Sequence, residues 1–265
     1  MSPGPLIGMI VALVAVLVGN LLEGGHAGSL VGGPAALIVL GGTIGAALVQ
    51  FPTPIVKHAI HAAGDLFKKP TVDPVKLLDE IVEYANKARK EGILGLEKLA
   101  PTAPDPFLSK ALMMAVDGAD SNAIRDTMEV IISHEEEHGE DAAKFFEAMG
   151  GYSPTVGIIG AVLGLIHVMS NLSDINAVGT GIAAAFVATI YGVAVANIIF
   201  LPMAGRIKMK VRDQATIKAM MLSGVLAIQQ GMNPKLVRDR LSGFLPAPAA
   251  HKGEAGAGAA AKAAA

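Results

Sequence analysis

Apolar and charged positions alternate along this chain in long blocks. Residues 1–50 contain no Lys or Arg and a single acid, Glu23. Residues 151–202 again contain no Lys or Arg, and their single acid is Asp174. A membrane-spanning helix needs about 20 mostly apolar residues, and each block holds two such runs. In the first block, Leu6–Leu22 and Ser29–Phe51 are separated by the Gly-rich turn Glu23-Gly24-Gly25-His26-Ala27-Gly28. In the second, Ser153–Leu172 and Val178–Pro202 are separated by Ser173-Asp174-Ile175-Asn176-Ala177. The pattern predicts an all-α integral membrane protein with four transmembrane helices in two hairpins. A cleaved signal peptide would also begin with an apolar run. Here that run has no basic leader and is followed at once by a second span, so it is taken as a span.

Between the hairpins the periodicity becomes amphipathic. Asp73-Pro74 reads as an N-cap with proline at the first helical position. Leu77, Leu78, Ile81, Val82, Ala85 and Ala88 then recur at helical spacing. Gly92 and Gly95 loosen or end that helix, and Pro101-Thr102-Ala103-Pro104-Asp105-Pro106 breaks the chain. Further helices are expected over roughly Pro106–Asp117 and from about Asn122 to Met149, the latter leading into the third span. After Pro202 an amphipathic helix covers about Ala204–Gln230, and a short helix follows Asn233-Pro234. The Ala/Gly/Pro-rich end, Ala247–Ala265, is expected to be disordered. The division is therefore 1–51 as the first hairpin, 52–150 as a helical cytoplasmic loop, 151–203 as the second hairpin, and 204–265 as cytoplasmic helices and tail.

Composition sharpens this. Mean hydropathy is +0.52 and charged residues make up 17%, below the roughly 25% of an average soluble domain. There is no Cys, which excludes thiol catalysis, a disulfide scaffold and Cys-based zinc sites. The net charge of −2 gives no support to a nucleic-acid partner. Its distribution is more informative. Residues 51–150 carry 11 basic and 18 acidic side chains, a net −7, while residues 203–265 carry 10 basic and 3 acidic, a net +7. All 21 Lys and Arg fall in these two blocks. The positive-inside rule then puts both charged blocks and both termini in the cytoplasm, with the two short turns outside.

Two helix faces in the second hairpin are unusually small. Pro154, Gly157, Ala161 and Gly164 share a face of the third span, and Ala185, Thr189, Gly192 and Ala196 share one of the fourth. Gly160–Gly164 and Gly41–Gly45 are also GxxxG pairs. Small faces let helices approach closely in lipid. Such faces serve packing within one chain, or they line a slot for a helix from another chain. No span has Asp, Glu, Lys or Arg in its interior; its polar groups are Thr43, His167, Ser170, Thr189 and Asn197. Buried membrane carboxylates usually mark ion relays, so an ion channel built from this chain needs a carboxylate from a partner. His134-Glu135-Glu136-Glu137-His138 matches HExxH, the zinc-protease spacing. It lies on a very acidic cytoplasmic helix and is taken as a solvated face, so no catalytic residue, metal or cofactor is expected.

The landmarks, in order, resemble the MotA/PomA family, the A subunit of the bacterial flagellar stator. They are Glu23-Gly24-Gly25, Gly33-Pro34-Ala35 and Gly41-Gly42-Thr43-Ile44-Gly45; the stretch Lys87-Ala88-Arg89-Lys90-Glu91-Gly92-Ile93-Leu94-Gly95-Leu96-Glu97; Tyr152-Ser153-Pro154-Thr155-Val156-Gly157-Ile158-Ile159-Gly160; Thr189 with Pro202; and Gly231-Met232-Asn233-Pro234. The resemblance implies that Arg89 and Glu97 engage the rotor protein FliG. By themselves they would be a solvated pair of little energetic weight. It implies that Pro154 and Pro202 couple ion passage to movement of the cytoplasmic domain; the bare alternative is two helix ends, where proline bends or stops the chain. It implies that Thr189, with the small face of Gly157, Ala161, Gly164, Ala185 and Gly192, faces the ion-binding Asp of a single-span MotB-like partner.

The resemblance also implies a homopentamer around two partner helices, in the bacterial inner membrane. Sodium-driven relatives look to have Thr seven residues after the first proline; Ala161 stands there, and a methyl cannot coordinate sodium, so protons are the expected coupling ion. The alternatives are an ExbB/TolQ-type proton-channel subunit, which usually has three spans and an outside N-terminus, and a membrane scaffold without ion flux.

Overall fold

The computed structural model describes residues 4–68, 72–170, 172–173 and 175–245. Among these residues every regular element is a helix. Asp174 and the tail expected to be disordered lie outside the described residues. Helix α1 is Gly4–Leu22. Helix α2 runs from Gly33 to Gln50 and changes character within its length: α-helical over Gly33–Ala36, π-helical over Leu37–Gly41, and α-helical again over Gly42–Gln50. Helix α3 is Thr53–Asp65, α4 is Pro74–Glu91, α5 is Pro106–Val116 and α6 is Ser121–Met169. Helix α7, Ile175–Ala194, passes through a π-helical turn, Val195–Phe200, into α8, Leu201–Gln229; α9 is Pro234–Ser242.

Three helical runs have the length and hydropathy of a membrane span: Ala27–Gln50, and the apolar parts of Ser121–Met169 and Val178–Gln229. The apolar stretch Leu6–Leu22 of α1 falls among the shorter apolar helices. The chain divides into two compact units, one of Met1–Lys69 with Glu137–Val211 and the other of Pro70–Glu136 with Arg212–Ala265. These cuts fall within the charged blocks rather than at their edges, because α3 and the flanking turns of α6 and α8 pack with the membrane-length helices.

In the first unit that packing is a cluster of Ala47, Ala59, Phe145, Phe146, Phe200 and Ile207. Phe51 meets the edge of Phe145 with ring centroids 5.6 Å apart. A smaller cluster joins Ala35 to Val187 and Ala188. The outward sides of α1 and α6 expose large apolar side chains, among them Val11, Val14, Ile158, Ile159, Leu163 and Ile166. Water would be a poor solvent for such a surface, whereas lipid or another apolar surface suits it.

The second unit has an ordinary core. Leu77, Ile81, Leu108, Leu112, Ile124 and Leu241 are fully buried. Local signals set its helix ends. The Asp73 carboxylate accepts from the Val75 N–H at 3.0 Å, and Asp105 accepts from Phe107 at 2.8 Å, each capping a helix that opens with proline. Helix α4 stops where Gly92 takes φ +78°, a conformation that favours glycine. Asn233 caps α9 through the Lys235 N–H at 3.0 Å.

Candidate functional site

The two small faces meet each other. A Cβ placed on Gly157 would stand 2.9 Å from the Ala188 carbonyl oxygen and 3.1 Å from Gly192 Cα. One on Gly192 would stand 2.6 Å from the Ser153 oxygen and 3.2 Å from Pro154 Cα. One on Gly164 would meet Ala185 at 3.1–3.3 Å. Helices α6 and α7 therefore touch backbone to backbone along Ser153, Gly157, Gly160 and Gly164 on one side and Ala185, Ala188 and Gly192 on the other. Gly157, Gly164, Ala185 and Gly192, expected on a partner-facing slot, lie in the seam that closes the hairpin itself. Absent side chains allow this contact, and dispersion then holds it.

Ala161 and Thr189 are half-buried. The Thr189 hydroxyl turns back to the Ala185 carbonyl at 3.4 Å, the usual intrahelical resort of a hydroxyl in an apolar helix. Asn197 donates to the Val193 carbonyl at 2.9 Å. Tyr191 reaches outside its helix: its hydroxyl donates to the Leu30 carbonyl at 2.6 Å and accepts the Gly32 N–H at 3.1 Å, fastening α7 to the start of α2. The hydroxyls of Thr43 and Ser153 are buried with no hydrogen-bond partner among the described residues.

Pro154 lies within α6 and does not end it. Proline cannot donate to the carbonyl four residues back, so one rung of the ladder is missing there. Pro202 stands in the first turn of α8, just after the π-helical turn Val195–Phe200. Pro154 thus lies at the end of the seam where Gly192 meets Ser153, and Pro202 follows ten residues beyond Gly192.

In the second unit, Arg89 and Glu97 are both exposed, on either side of Gly92 and the 3-10 turn Ile93–Leu96. Arg89 lines an open cleft of about 640 Å³ with Lys90, Lys235 and Arg238, and Glu97 lies outside it. This basic setting comes from α9 docking on α4, with Arg238 pairing to Asp79 at 2.7 Å. Spacing along α4 gives no hint of it; the only sequence signal is the cap Asn233-Pro234, which starts α9.

The HExxH residues are otherwise engaged. Glu135 pairs with Lys218, and the His138 ring meets His58 edge-on at 5.0 Å between centroids. His58 has its pKa lowered, first by burial and then by the neighbouring His138 and His61, with Asp65 opposing. Burial likewise lowers Lys218, against Asp105.

A glycine-closed hairpin within an apolar unit, continued into a charged helical unit, defines a multi-span helical membrane protein. Residues 100–220 match the MotA/TolQ/ExbB proton channel family, and residues 6–92 match the Motility protein A N-terminal family. Motility protein A of Bacillus subtilis (strain 168) is 37% identical over 93% of this chain and 92% of its own. The chemotaxis protein PomA of Vibrio alginolyticus is 33% identical over 92% and 96%. The flagellar MotAB stator complex from Bacillus subtilis superposes with a TM-score of 0.86 at 36% identity, covering 92% of this chain and 96% of that one. The chain belongs to the MotA/PomA family of motility proteins.

Proposed function

We propose that this chain is the A-type subunit of a flagellar stator, an ion channel that converts ion-motive force into torque. The observation that carries this is the near full-length likeness, in sequence and fold, to a flagellar MotAB stator complex. The match of residues 6–92 to the Motility protein A N-terminal region favours the stator over an ExbB/TolQ-type subunit.

Four spans fit this role. Nineteen residues of α1 rise about 28 Å at ~1.5 Å each, against a hydrocarbon core of roughly 30 Å. Both termini and both charged blocks then lie in the cytoplasm, as the Lys/Arg bias requires. Five copies surround two helices of a MotB-like partner in the bacterial cytoplasmic membrane. The spans of this chain contain no carboxylate, so the partner's Asp carries the ion past the Thr189 and Ala161 side of the hairpin. Ala161 offers no oxygen ligand, which supports protons over sodium. One charge crossing 100 mV releases about 2.3 kcal/mol, and the ring of A subunits turns around its partner on that energy. Pro154 and Pro202 pass the movement to the cytoplasmic unit, and the exposed Arg89 and Glu97 engage FliG.

The test is co-expression with a one-span, Asp-bearing partner in a non-motile strain lacking its own stator. Swimming should be restored, lost when the partner Asp becomes Asn, and strongly reduced by Arg89→Ala or Glu97→Ala. Failure to co-purify with such a partner would overturn the stator reading. Normal swimming by both loop variants would overturn the rotor contact, and rotation that tracks sodium would overturn proton coupling.

A further inference from the structure

We propose that the first unit holds a binding site for an anionic phospholipid of the cytoplasmic leaflet, in a cavity of about 370 Å³ between α1 and the joint of α7 with α8. Gly8 and Ala12 of α1 make one smooth wall. A Cβ on Gly8 would meet nothing within 4 Å, so the space is open rather than filled by a neighbour. Phe67 lines a further side, and Asn197, Pro202 and Arg206 line the side formed by the π turn and α8.

The chemistry of this lining is graded. The wall of α1 and the ring of Phe67 are apolar and suit an acyl chain. Arg206 is the first basic residue after the 151–202 block, which has none, and it marks the level where the chain leaves hydrocarbon for headgroups. Lys208 pairs with Glu147 at 2.6 Å and Lys210 donates to the Asp65 carbonyl at 3.0 Å, so the headgroup falls to Arg206, the basic side chain in the cavity lining. Anionic headgroups are drawn to a basic side chain placed at this level of a helix. A guanidinium is also suited to bidentate contact with a phosphate. A free phosphate would use Arg206 but leave the apolar wall bare. A diacyl lipid matches both parts, and the membrane supplies it without a separate binding event from the cytoplasm. The bound acyl chain then fills the gap beside Pro202 and braces α1 against the π turn. This inference concerns the lipid alone and does not rest on the stator reading.

The test uses the full-length chain, purified in mild detergent and placed in nanodiscs of phosphatidylcholine containing a phosphatidylglycerol with a photoreactive acyl chain. Cross-links should map to residues 8–12 and 199–206. Arg206→Gln, an exposed position, should reduce labelling by phosphatidylglycerol at least fivefold while leaving that by an equally photoreactive phosphatidylcholine unchanged. Gly8→Leu, which fills the cavity, should reduce both. Soluble glycerol phosphate in excess should not compete. Size-exclusion profiles identify any variant that fails to fold, and the mapping on the unaltered chain stands independently of them. Labelling spread evenly over the apolar surface, unaffected by Arg206→Gln, or displaced by glycerol phosphate would overturn the proposal. So would cross-linking of α1 to a second copy of the chain in place of lipid.

Discussion

Substituting Gly192 by Ala adds one methyl group at the tightest backbone contact of the α6–α7 seam. That carbon would stand 2.6 Å from the Ser153 oxygen, 3.1 Å from Gly157 Cα and 3.2 Å from Pro154 Cα. All three are backbone atoms and cannot swing aside. Carbon contacts settle at about 3.5–4.0 Å, so α7 must retreat by roughly 1 Å, which also loosens Gly157 against Ala188. Overpacking of this kind costs about 1–3 kcal/mol. Helix propensity works the other way by about 1 kcal/mol for any helical Gly→Ala, so a control has to carry the same gain. Gly45 supplies it: it is helical, and a Cβ there meets nothing within 4 Å. The difference between Gly192→Ala and Gly45→Ala isolates close approach, and about 1–3 kcal/mol against Gly192→Ala is expected. Titrating the purified chain from mild detergent into SDS, with helicity followed by circular dichroism, reads the two midpoints. Equal midpoints, or a later one for Gly192→Ala, would refute the argument that the seam depends on bare glycine.

Three other changes probe different parts of the molecule. Leu108→Ala removes a fully buried side chain from the core of the second unit and should lower unfolding stability by about 2–5 kcal/mol in denaturant titration. Tyr191→Phe deletes the hydroxyl that serves both Leu30 and Gly32. A loss of about 1–3 kcal/mol and faster proteolysis between Gly28 and Gly32 are expected, and unchanged cleavage would count against the anchor. His58 has a folded pKa below its usual 6.5 because burial, His138 and His61 disfavour its charge. Its share of stability is therefore intact above about 6.5 and is lost as pH falls from there through the lowered value. His58→Gln should flatten thermal stability over that interval, and an unchanged acid slope would refute it.

The helices were readable because the features that form them are local. Asp73-Pro74, Asp105-Pro106 and Asn233-Pro234 each carry a side-chain cap and a proline with fixed φ, and each begins a helix. Gly92 ends one because it takes a positive φ. The small faces were also readable, but their neighbours were not. Gly160–Gly164 and Gly41–Gly45 have the same spacing, yet Gly160 approaches Ala188 while a Cβ on Gly41 or Gly45 would meet open space. Spacing states that a close approach is allowed and leaves open which helix makes it. The π-helical turns at Leu37–Gly41 and Val195–Phe200 have no sequence signature at all. Each accommodates a shift of helix register that only the packing demands. The basic cleft around Arg89 was hidden for a similar reason, since Lys90, Lys235 and Arg238 come from two helices distant in sequence.

The closed seam bears on how such a subunit can move. Two helices in backbone contact at Gly157, Gly164 and Gly192 cannot slide past one another without opening a gap that no side chain fills. Cores and interfaces of this kind hold discrete arrangements rather than deforming continuously. The hairpin of α6 and α7 is therefore expected to move as one body, and bending falls to its ends. At the end nearer Ser153, Pro154 lacks a ladder hydrogen bond, while beyond Gly192 the π turn and Pro202 interrupt the regular helix. The tightest backbone contact, Gly192 against Ser153 and Pro154, lies at that same end. Under the stator reading, an ion bound beside Thr189 would act about one helical turn from this joint. Under the stator reading, torque generation then requires the rigid seam as much as the prolines: a loosened seam would absorb the displacement before it reached Arg89 and Glu97.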